Sequence, residues 1–322
     1  RHDQRRLLQA AGLLLDQDVG QRLQGFAQAH VVGQHAGQAV CTQKLQPIQA
    51  QLLVGPQRRH QACGCGHGGQ AGTPGKLLHQ VLSGSLRGTA SPKSFNNAIG
   101  VPLTILGARR NDQYLVCEIG TNAPGEIAPL ARAAEPDIAV ITSIGREHLE
   151  GLGSLEGVVA EETSLLSGLR AGGLAVLNAD APGLVEQARP LLTAGNRQLL
   201  TFGQNEASDL RLTGIEPSPQ GLRFCLNART WYSLPLLGSH NAWNAAAVVA
   251  AARRLGVDAG EIERALAAAQ GAPMRLERTS AGGIQFINDA YNANPESVLA
   301  ALTTFGESFS GSLHTPHLIK RV

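Results

Sequence analysis

The chain is poor in aromatic residues and has no glutamate in its first third. Aromatic residues make up 4% of the 322 residues, while 43% are hydrophobic and glycine occurs 38 times. This hydrophobic fraction is ordinary for a globular protein, and the length is sufficient for two domains with a sizeable core. The composition is compatible with a compact α/β architecture.

Cysteines are few, and long apolar runs are absent. The five cysteines are odd in number and lack the spacing of a disulfide framework, which argues against a secreted disulfide-stabilised protein. No apolar run approaches the roughly 20 residues that cross a bilayer, and the N-terminus lacks the pattern of a signal peptide. We therefore expect a cytoplasmic protein, without membrane insertion or export.

Acidic residues are unevenly distributed along the chain. Residues 1–90 carry nine Lys/Arg against three Asp/Glu, a net charge of +6, whereas the remainder carries 18 against 22, a net charge of −4. The first glutamate is Glu118. A basic arm on an acidic body is typical of nucleic-acid-binding proteins, but charge alone supports that interpretation weakly here.

Residues 1–70 contain 15 glutamines and hardly any sustained helical pattern. The stretch Cys63-Gly-Cys65-Gly-His67 resembles part of a metal site, but zinc requires further ligands and usually a two-residue gap between cysteines. The alternatives are a disordered segment and a translation in the wrong reading frame. We favour the reading-frame interpretation and leave residues 1–70 unassigned.

From Ser94 onward, short apolar runs alternate with helical patterns. This alternation predicts an α/β fold with a mostly parallel sheet flanked by helices and a small antiparallel portion at 208–236. The predicted strands are Tyr114–Glu118, 137–142, Leu174–Asn178, 199–202 and one near 283–288. The predicted helices are 124–134, 155–169, 182–192, 241–255 and 261–270.

Polar residues that follow the predicted strands are candidates for a ligand site, because open α/β sheets bind ligands at the carboxyl ends of their strands. The candidates are Glu118, the loop 143–150 and the segment 289–295. Taken alone, Glu118 is as compatible with a surface charge as with a Mg²⁺ ligand. His148 is similarly ambiguous.

Five ordered segments resemble the Mur ligase family. They are Ser94–Thr104, Glu118–Ile127, His148–Ser154, Gly238–Ala246 and Asn288–Pro295. The forms Tyr291-Asn-Ala-Asn-Pro295 and Phe95-Asn-Asn97 resemble the D-alanyl-D-alanine-adding branch, and they argue against folylpolyglutamate synthase, which shares the fold. Nothing before Gly72 resembles the family convincingly.

The resemblance implies an ATP-dependent, Mg²⁺-dependent amide ligase of peptidoglycan precursor synthesis. Its substrates would be a UDP-N-acetylmuramoyl-peptide and D-alanyl-D-alanine, joined through an acyl phosphate. Residues 71–272 would form a P-loop-type ATP-binding domain, and 273–322 the start of a truncated Rossmann-like domain. We expect a monomer and no nucleic-acid partner.

The resemblance also assigns roles to individual residues. Catalytic roles would fall to Lys76, His148, Glu162 and Arg275. Metal ligands would be Glu118 and His148, and Asn96 and Asn97 would bind substrate. Nucleotide contacts would come from Gly72, Gly75, Lys76, Asn241, Asn244, Arg275, Asp289 and Asn292.

Glu162 departs from the family pattern, since many Mur ligases carry a carbamoylated lysine at that position. A glutamate supplies a carboxylate directly, so assistance to the metal could survive without carbamoylation. The alternative interpretation is a solvent-facing charge on a helix.

The phosphate-binding loop departs from the family pattern more than Glu162 does. It runs from Gly72 to Lys76, but Leu77 replaces the Mg²⁺-binding hydroxyl. We also expect no strand before Gly72 to support the loop, and the family pattern is lost after Phe305. The sequence therefore predicts little or no turnover, and a non-catalytic Mur-like binding protein with a basic arm remains the alternative.

Overall fold

Nine strands form one sheet in the part of the chain that the structure describes. The computed structural model describes residues 60–65, 74–92, 95–121, 123–145, 152–291 and 295–309, all within a unit that begins at Arg58. Predictions for residues 1–59, including the wrong-frame and basic-arm interpretations, lie outside these ranges. Those for Gly72, His148 and Asn292 do as well.

The strands are numbered in chain order, and their order across the sheet is β2-β3-β1-β4-β5-β6-β7-β8-β9. Pairing is parallel from β2 to β7 and antiparallel from β7 to β9. The strands are β1 (His60–Cys65), β2 (Gly88–Ala90), β3 (Tyr114–Glu118), β4 (Ile138–Ile141), β5 (Leu174–Asn178), β6 (Gln198–Gly203), β7 (Leu210–Ser218), β8 (Gly221–Leu226) and β9 (Thr230–Leu234).

Helices cover both faces of this sheet. They are α1 (Pro74–Ser83), α2 (Gly100–Gly107), α3 (Ile127–Ala134), α4 (Leu155–Thr163), α5 (Leu184–Ala194), α6 (Asn241–Arg254), α7 (Ala259–Ala267) and α8 (Pro295–Phe309). Helices α1, α6 and α7 contact one another, and α6 contacts strands β4 to β8. Helices α3, α4 and α5 adjoin a short 3-10 helix, Ser164–Ser167. The predicted α/β class with a mostly parallel sheet is confirmed.

The central strands are continuous apolar runs because helices cover both of their faces. All four residues of β4 and all five of β5 are buried. Alternate residues of β3 to β5 join the core beneath α1 and α6. The predicted bounds of β3 and β5 are those observed.

The expectation that no strand precedes Gly72 is wrong. Strand β1 lies between β3 and β4, with His60 opposite Tyr114 and Ala62 opposite Ile138. Its sequence, His-Gln-Ala-Cys-Gly-Cys, contains no β-branched or aromatic residue. Hydrogen-bonding partners on both edges override this weak intrinsic preference. With α1 beginning at Pro74, a strand precedes the helix in the chain, as a phosphate loop requires.

The last part of the described chain forms a separate two-stranded sheet. Strands β10 (Glu277–Ala281) and β11 (Ile284–Asn288) pair antiparallel, and α8 follows. Leu237 and Leu276 form a small buried cluster, against which Ile287 and Ala301 pack. Strand β11 confirms the strand predicted near 283–288, and β7 to β9 confirm the antiparallel portion.

Candidate nucleotide-binding site

The carboxyl ends of the parallel strands meet along one edge of the sheet, which we call the carboxyl edge. It is formed by the ends of β1, β3, β4, β5 and β6 and by the residues that follow them. Strand β1 is flanked by β3 on one side and by β4 on the other, so the strand order changes direction there. Such a switch point is where open α/β sheets bind ligands.

Glu118 and Asn96, predicted from separate segments, lie together at the end of β3. Asn96 Nδ2 donates to Glu118 Oε1 at 3.2 Å. The Gly120 N–H donates to the Asn96 carbonyl at 2.8 Å, and a Cβ on Gly120 would lie 2.8 Å from Asn96 Nδ2. The close approach of this loop to Asn96 therefore requires glycine at position 120.

The side chain of Asn97 is bonded to nearby backbone N–H groups in this structure. Its Oδ1 accepts from the backbone N–H groups of Ile99 at 3.1 Å and Gly100 at 2.9 Å. These are the unpaired donors at the start of α2, so Asn97 caps that helix. Its predicted substrate contact stays a prediction.

Two adjacent carboxylates on α4 are buried. Glu161 accepts from the N–H groups of Gly125 at 2.7 Å and Ile127 at 2.8 Å, one bond to each oxygen. It therefore anchors the loop after β3 and the start of α3. Glu162 is 0% exposed, so its interpretation as a solvent-facing charge is wrong.

Lys76 lies in the first turn of α1, directly after the segment that follows β1. Leu77, the residue at the hydroxyl position of the phosphate loop, is 3% exposed and belongs to the core. A Cβ on Gly75 would touch Val116 Cγ1 at 3.4 Å, so α1 begins close to β3. The helix places Lys76 near the carboxyl edge.

Asn241 and Asn244 contact each other in the first turn of α6. Asn241 is 0% exposed, and its Nδ2 donates to the Leu237 carbonyl at 2.8 Å. Asn244 Nδ2 donates to Asn241 Oδ1 at 3.1 Å. Asn241 is thus fixed by the protein itself, and it orients the more exposed amide of Asn244.

Arg275 lies between two residues with left-handed backbone, Met274 at φ 59° and Leu276 at φ 45°. Its guanidinium carbon is 3.9 Å from the centre of the Tyr291 ring, which is a cation–π contact. Asp289 Oδ1 accepts from the Leu276 N–H at 3.0 Å. Asp289 therefore hydrogen-bonds to the residue that follows Arg275. The nucleotide contacts predicted for Arg275 and Asp289 stay predictions.

His240 precedes α6 and was missed by sequence reasoning. Its Nε2 is buried without a hydrogen-bond partner among the described residues. Burial lowers the pKa of His240 to about 4. A Cβ on Gly238, whose φ is 93°, would lie 2.3 Å from His240 Cε1, so only glycine allows this ring position.

Asp180 and Trp243 were also missed. Trp243 Nε1 donates to Asp180 Oδ2 at 2.6 Å, which joins α6 to the loop after β5. Asn178 connects this loop to β4, because its Nδ2 donates to the Thr142 carbonyl at 2.8 Å. No sequence motif marks Asp180, whose partners are distant in the chain.

Metal-binding groups are dispersed across the described residues. Within these ranges, no cluster of three or more His, Cys, Asp or Glu side chains is arranged to hold a metal ion. The Cys63–His67 metal hypothesis includes His67, which lies outside the described residues. None of the described helices is both long and apolar enough to cross a membrane.

Comparison with known protein families identifies the family of this chain. Residues 65–252 match the Mur ligase middle domain. The chain belongs to the Mur ligase family. The resemblance read from the five sequence segments is thereby confirmed.

Two curated relatives of this chain carry the same name. The UDP-N-acetylmuramoyl-tripeptide–D-alanyl-D-alanine ligase of Bacillus subtilis is 35% identical over 241 residues, which are 73% of this chain and 51% of the relative. The Escherichia coli enzyme of that name is 35% identical over 219 residues, 66% of this chain and 48% of the relative. The chain therefore spans about half the length of the curated Mur ligases that it matches.

Solved Mur ligase structures have the same fold. MurF from Acinetobacter baumannii superposes with a TM-score of 0.72 at 31% identity, covering 79% of this chain and 55% of that one. MurF from Thermotoga maritima in complex with ADP gives 0.67 at 26%, covering 77% and 57%. A folylpolyglutamate synthase from L. casei is 16% identical with a TM-score of 0.64, so its likeness concerns the fold alone.

Proposed function

We propose that this chain forms the nucleotide-binding part of an ATP-dependent ligase that adds D-alanyl-D-alanine to a UDP-N-acetylmuramoyl-tripeptide. One observation carries the proposal. Three groups belong to the carboxyl edge or to elements that follow it. They are Glu118 at the end of β3, Lys76 in the first turn of α1 and Asn244 in the first turn of α6. The curated relatives supply the substrate names.

The described residues fit ATP at both of its ends. The N-terminus of α1 favours negative charge through its backbone N–H groups and its dipole, and Lys76 adds one positive charge there. An asparagine amide can both donate to and accept from the edge of a purine ring. The Asn241–Asn244 pair, fixed through the Leu237 carbonyl, is suited to the base.

The carboxylates also fit Mg²⁺, which proteins usually bind through one or two carboxylates together with substrate phosphates. Glu118 is partly exposed at the end of β3, and Glu162 is buried on α4. When bound, Mg²⁺ would neutralise charge on phosphate oxygens. Glu118 is held in place by the Asn96 amide and by the bond from its own N–H to Ser91 Oγ at 2.9 Å.

The reaction would proceed in two transfers. A peptide carboxylate oxygen attacks the γ-phosphorus of ATP and displaces ADP, which gives an acyl phosphate. The amine of D-alanyl-D-alanine then attacks the acyl carbon, loses a proton, and inorganic phosphate leaves. Lys76 and Arg275 would stabilise negative charge on the transferring phosphoryl group, which is the main task in such chemistry.

We further propose that this chain turns over slowly or not at all. Leu77 points into the core and offers no hydroxyl to the phosphate site. The order of strand β1 followed by helix α1 supports nucleotide binding, and the loss of the hydroxyl supports weak catalysis.

Calorimetric titration of the full chain with MgADP and MgATP tests the binding proposal. We expect saturable binding that Lys76→Ala weakens about tenfold or more, since charge-assisted contacts to phosphate are among the stronger ones. Arg110→Ala, which removes an exposed cation beyond α2, is the matched control and should bind as the parent does. Absence of binding by the parent chain would refute the proposal.

Release of ADP on adding UDP-N-acetylmuramoyl-tripeptide and D-alanyl-D-alanine tests turnover. We expect at most a trace above the rate without substrates. Substantial release that requires both substrates would overturn the proposed inactivity and strengthen the substrate assignment.

A further inference from the structure

Asp180 joins three segments of the carboxyl edge that are far apart in sequence. Its Oδ2 accepts from Trp243 Nε1 at 2.6 Å and from the Gln204 N–H at 2.7 Å, and its Oδ1 accepts from the Asn205 N–H at 2.8 Å. The segments are the loop after β5, the loop after β6 and the first turn of α6. Bonds to an ionised carboxylate are the stronger class of hydrogen bond, so the junction is well held.

The surrounding backbone is built to accommodate this carboxylate. Gly203 has a φ of 143°, and a Cβ there would lie 2.7 Å from the Asp180 carboxylate, so glycine allows the close approach. The Asp180 N–H donates to Asn178 Oδ1 at 2.9 Å. Because Asn178 in turn holds the Thr142 carbonyl, the junction is continuous with the ends of β5 and β4.

The first turn of α6 depends on this lateral support. The residue at its N-cap, His240, makes no capping hydrogen bond with its side chain. Trp243 lies between Asn241 and Asn244 in the same turn. The bond to Asp180 therefore fixes the rotation of the turn that carries Asn241 and presents the Asn244 amide.

We infer that Asp180 is a positioning residue for the base end of the nucleotide site, acting through the indole N–H of Trp243. The inference rests on the proposed function and deepens it. Asp180 holds the α6 turn against the loops after β5 and β6, and the Asn244 amide gains its orientation from that turn. Without the bond, the helix stays folded but the Asn244 amide loses its fixed position toward a purine.

The first test needs no nucleotide. The chain has two tryptophans, so Trp231→Phe leaves Trp243 as the sole tryptophan, which excitation at about 295 nm selects over the three tyrosines. In that background, Asp180→Asn should shift Trp243 emission to longer wavelength and increase its quenching by acrylamide. Asp209→Asn is the matched control, since Asp209 accepts from the Thr201 N–H at 2.7 Å and hydroxyl at 2.8 Å and holds β6 to β7 rather than a tryptophan. Unchanged emission in Asp180→Asn would overturn the inference.

The second test separates the base from the phosphates. Trp243→Phe keeps an aromatic ring and all of the groups around Asp180 but removes the donor. We expect Trp243→Phe and Asp180→Asn each to weaken MgADP binding about three- to tenfold, the range for loss of one hydrogen bond. Binding of tripolyphosphate, which has no base, should not change. The double variant should be no weaker than the worse single variant, because both act on one bond.

The outcomes distinguish this inference from the proposed function. Equal weakening of MgADP and tripolyphosphate, or additive losses in the double variant, would overturn the role of Asp180 at the base. If the parent chain binds neither ligand, the nucleotide proposal fails. Trp243 emission then decides by itself whether Asp180 positions the α6 turn.

Discussion

The sheet and the segment from Arg275 onward differ in how much buried apolar surface stabilises them. Strands β4 and β5 are buried at every position, whereas β10 is exposed at four of its five residues. Ile284 and Phe286 on β11 are 55% and 43% exposed. The sheet is therefore stabilised by burial on two faces, and the C-terminal segment by few apolar contacts.

The residues of the candidate site are distributed over both regions. Glu118 and Asn241 lie on elements of the large core, whereas Arg275 and Asp289 belong to the weakly covered segment. The position of the second pair depends on polar contacts and on the small cluster of Leu237 and Leu276. We therefore expect substitutions in the two regions to differ in size and in kind.

The largest contrast is expected between two phenylalanines. Phe224 is fully buried and stacks on Tyr232 with ring centres 5.2 Å apart, while Phe286 lies on the exposed hairpin. Phe224→Ala should lower the free energy of unfolding by about 3–5 kcal/mol, and Phe286→Ala by about 1 kcal/mol or less. Urea denaturation of both variants measures the difference. Similar losses would show that the hairpin is as well packed as the sheet.

His240 lies at the boundary between the two regions and predicts a pH dependence. Its pKa is about 4 in the folded chain and 6.5 in an unperturbed histidine. Between these values the unfolded chain binds more protons, so stability falls as the pH is lowered from about 6.5 to 4. The loss has an upper bound of about 3 kcal/mol.

Urea denaturation of the parent and of His240→Gln at several pH values checks this sign. His79, whose pKa burial also lowers, acts in the same direction in both proteins, so their difference isolates His240. Parallel pH profiles of the parent and the variant would contradict the expected contribution.

Glu161 tests whether helix α4 holds the loop after β3 in place. Glu161→Gln replaces one carboxylate oxygen with an NH2 group. One of the two loop N–H groups then faces a donor instead of an acceptor. An unpaired buried donor costs about 1–3 kcal/mol, so we expect a loss of about 2 kcal/mol in unfolding free energy. Glu263→Gln on the exposed face of α7 is the control and should change stability by less than about 0.5 kcal/mol. Equal effects would mean that the two Glu161 bonds do not stabilise the fold.

The sequence correctly predicted those elements whose burial is evident from their own residues. Tyr114–Glu118 and Leu174–Asn178 are continuous apolar runs because both faces of the sheet are covered, and their bounds were predicted correctly. Strand β1 was missed since Ala, Gly and Cys in His60–Cys65 carry little strand preference, and its neighbours in the ladder come later in the chain.

The site could be predicted only in part, for a similar reason. Motifs mark Glu118, Asn241 and Arg275, but nothing near Asp180 in sequence indicates donors 24, 25 and 63 residues away. The burial of Glu162 beside Glu161 could not be predicted either, because neighbouring charges on a helix are ordinarily expected at its surface. Contacts between distant segments had to be seen in the structure.

The smallest expected effect concerns the hydrogen bond from Ser239 Oγ to Glu307 Oε2, 2.8 Å long, which connects the turn before α6 to α8. The bond is exposed to solvent, so Ser239→Ala should change the free energy of unfolding by less than about 0.5 kcal/mol. Its effect should instead be local. With one polar contact removed, α8 opens more often, and amide hydrogen exchange in residues 297–307 becomes faster while exchange in β4 and β5 is unchanged. Ser233→Ala, at an exposed position of β9, provides the matched control. Unaltered exchange in α8 would mean that the Leu237 and Leu276 cluster alone holds the helix, and the contrast between the two regions would then rest on apolar packing rather than on polar contacts.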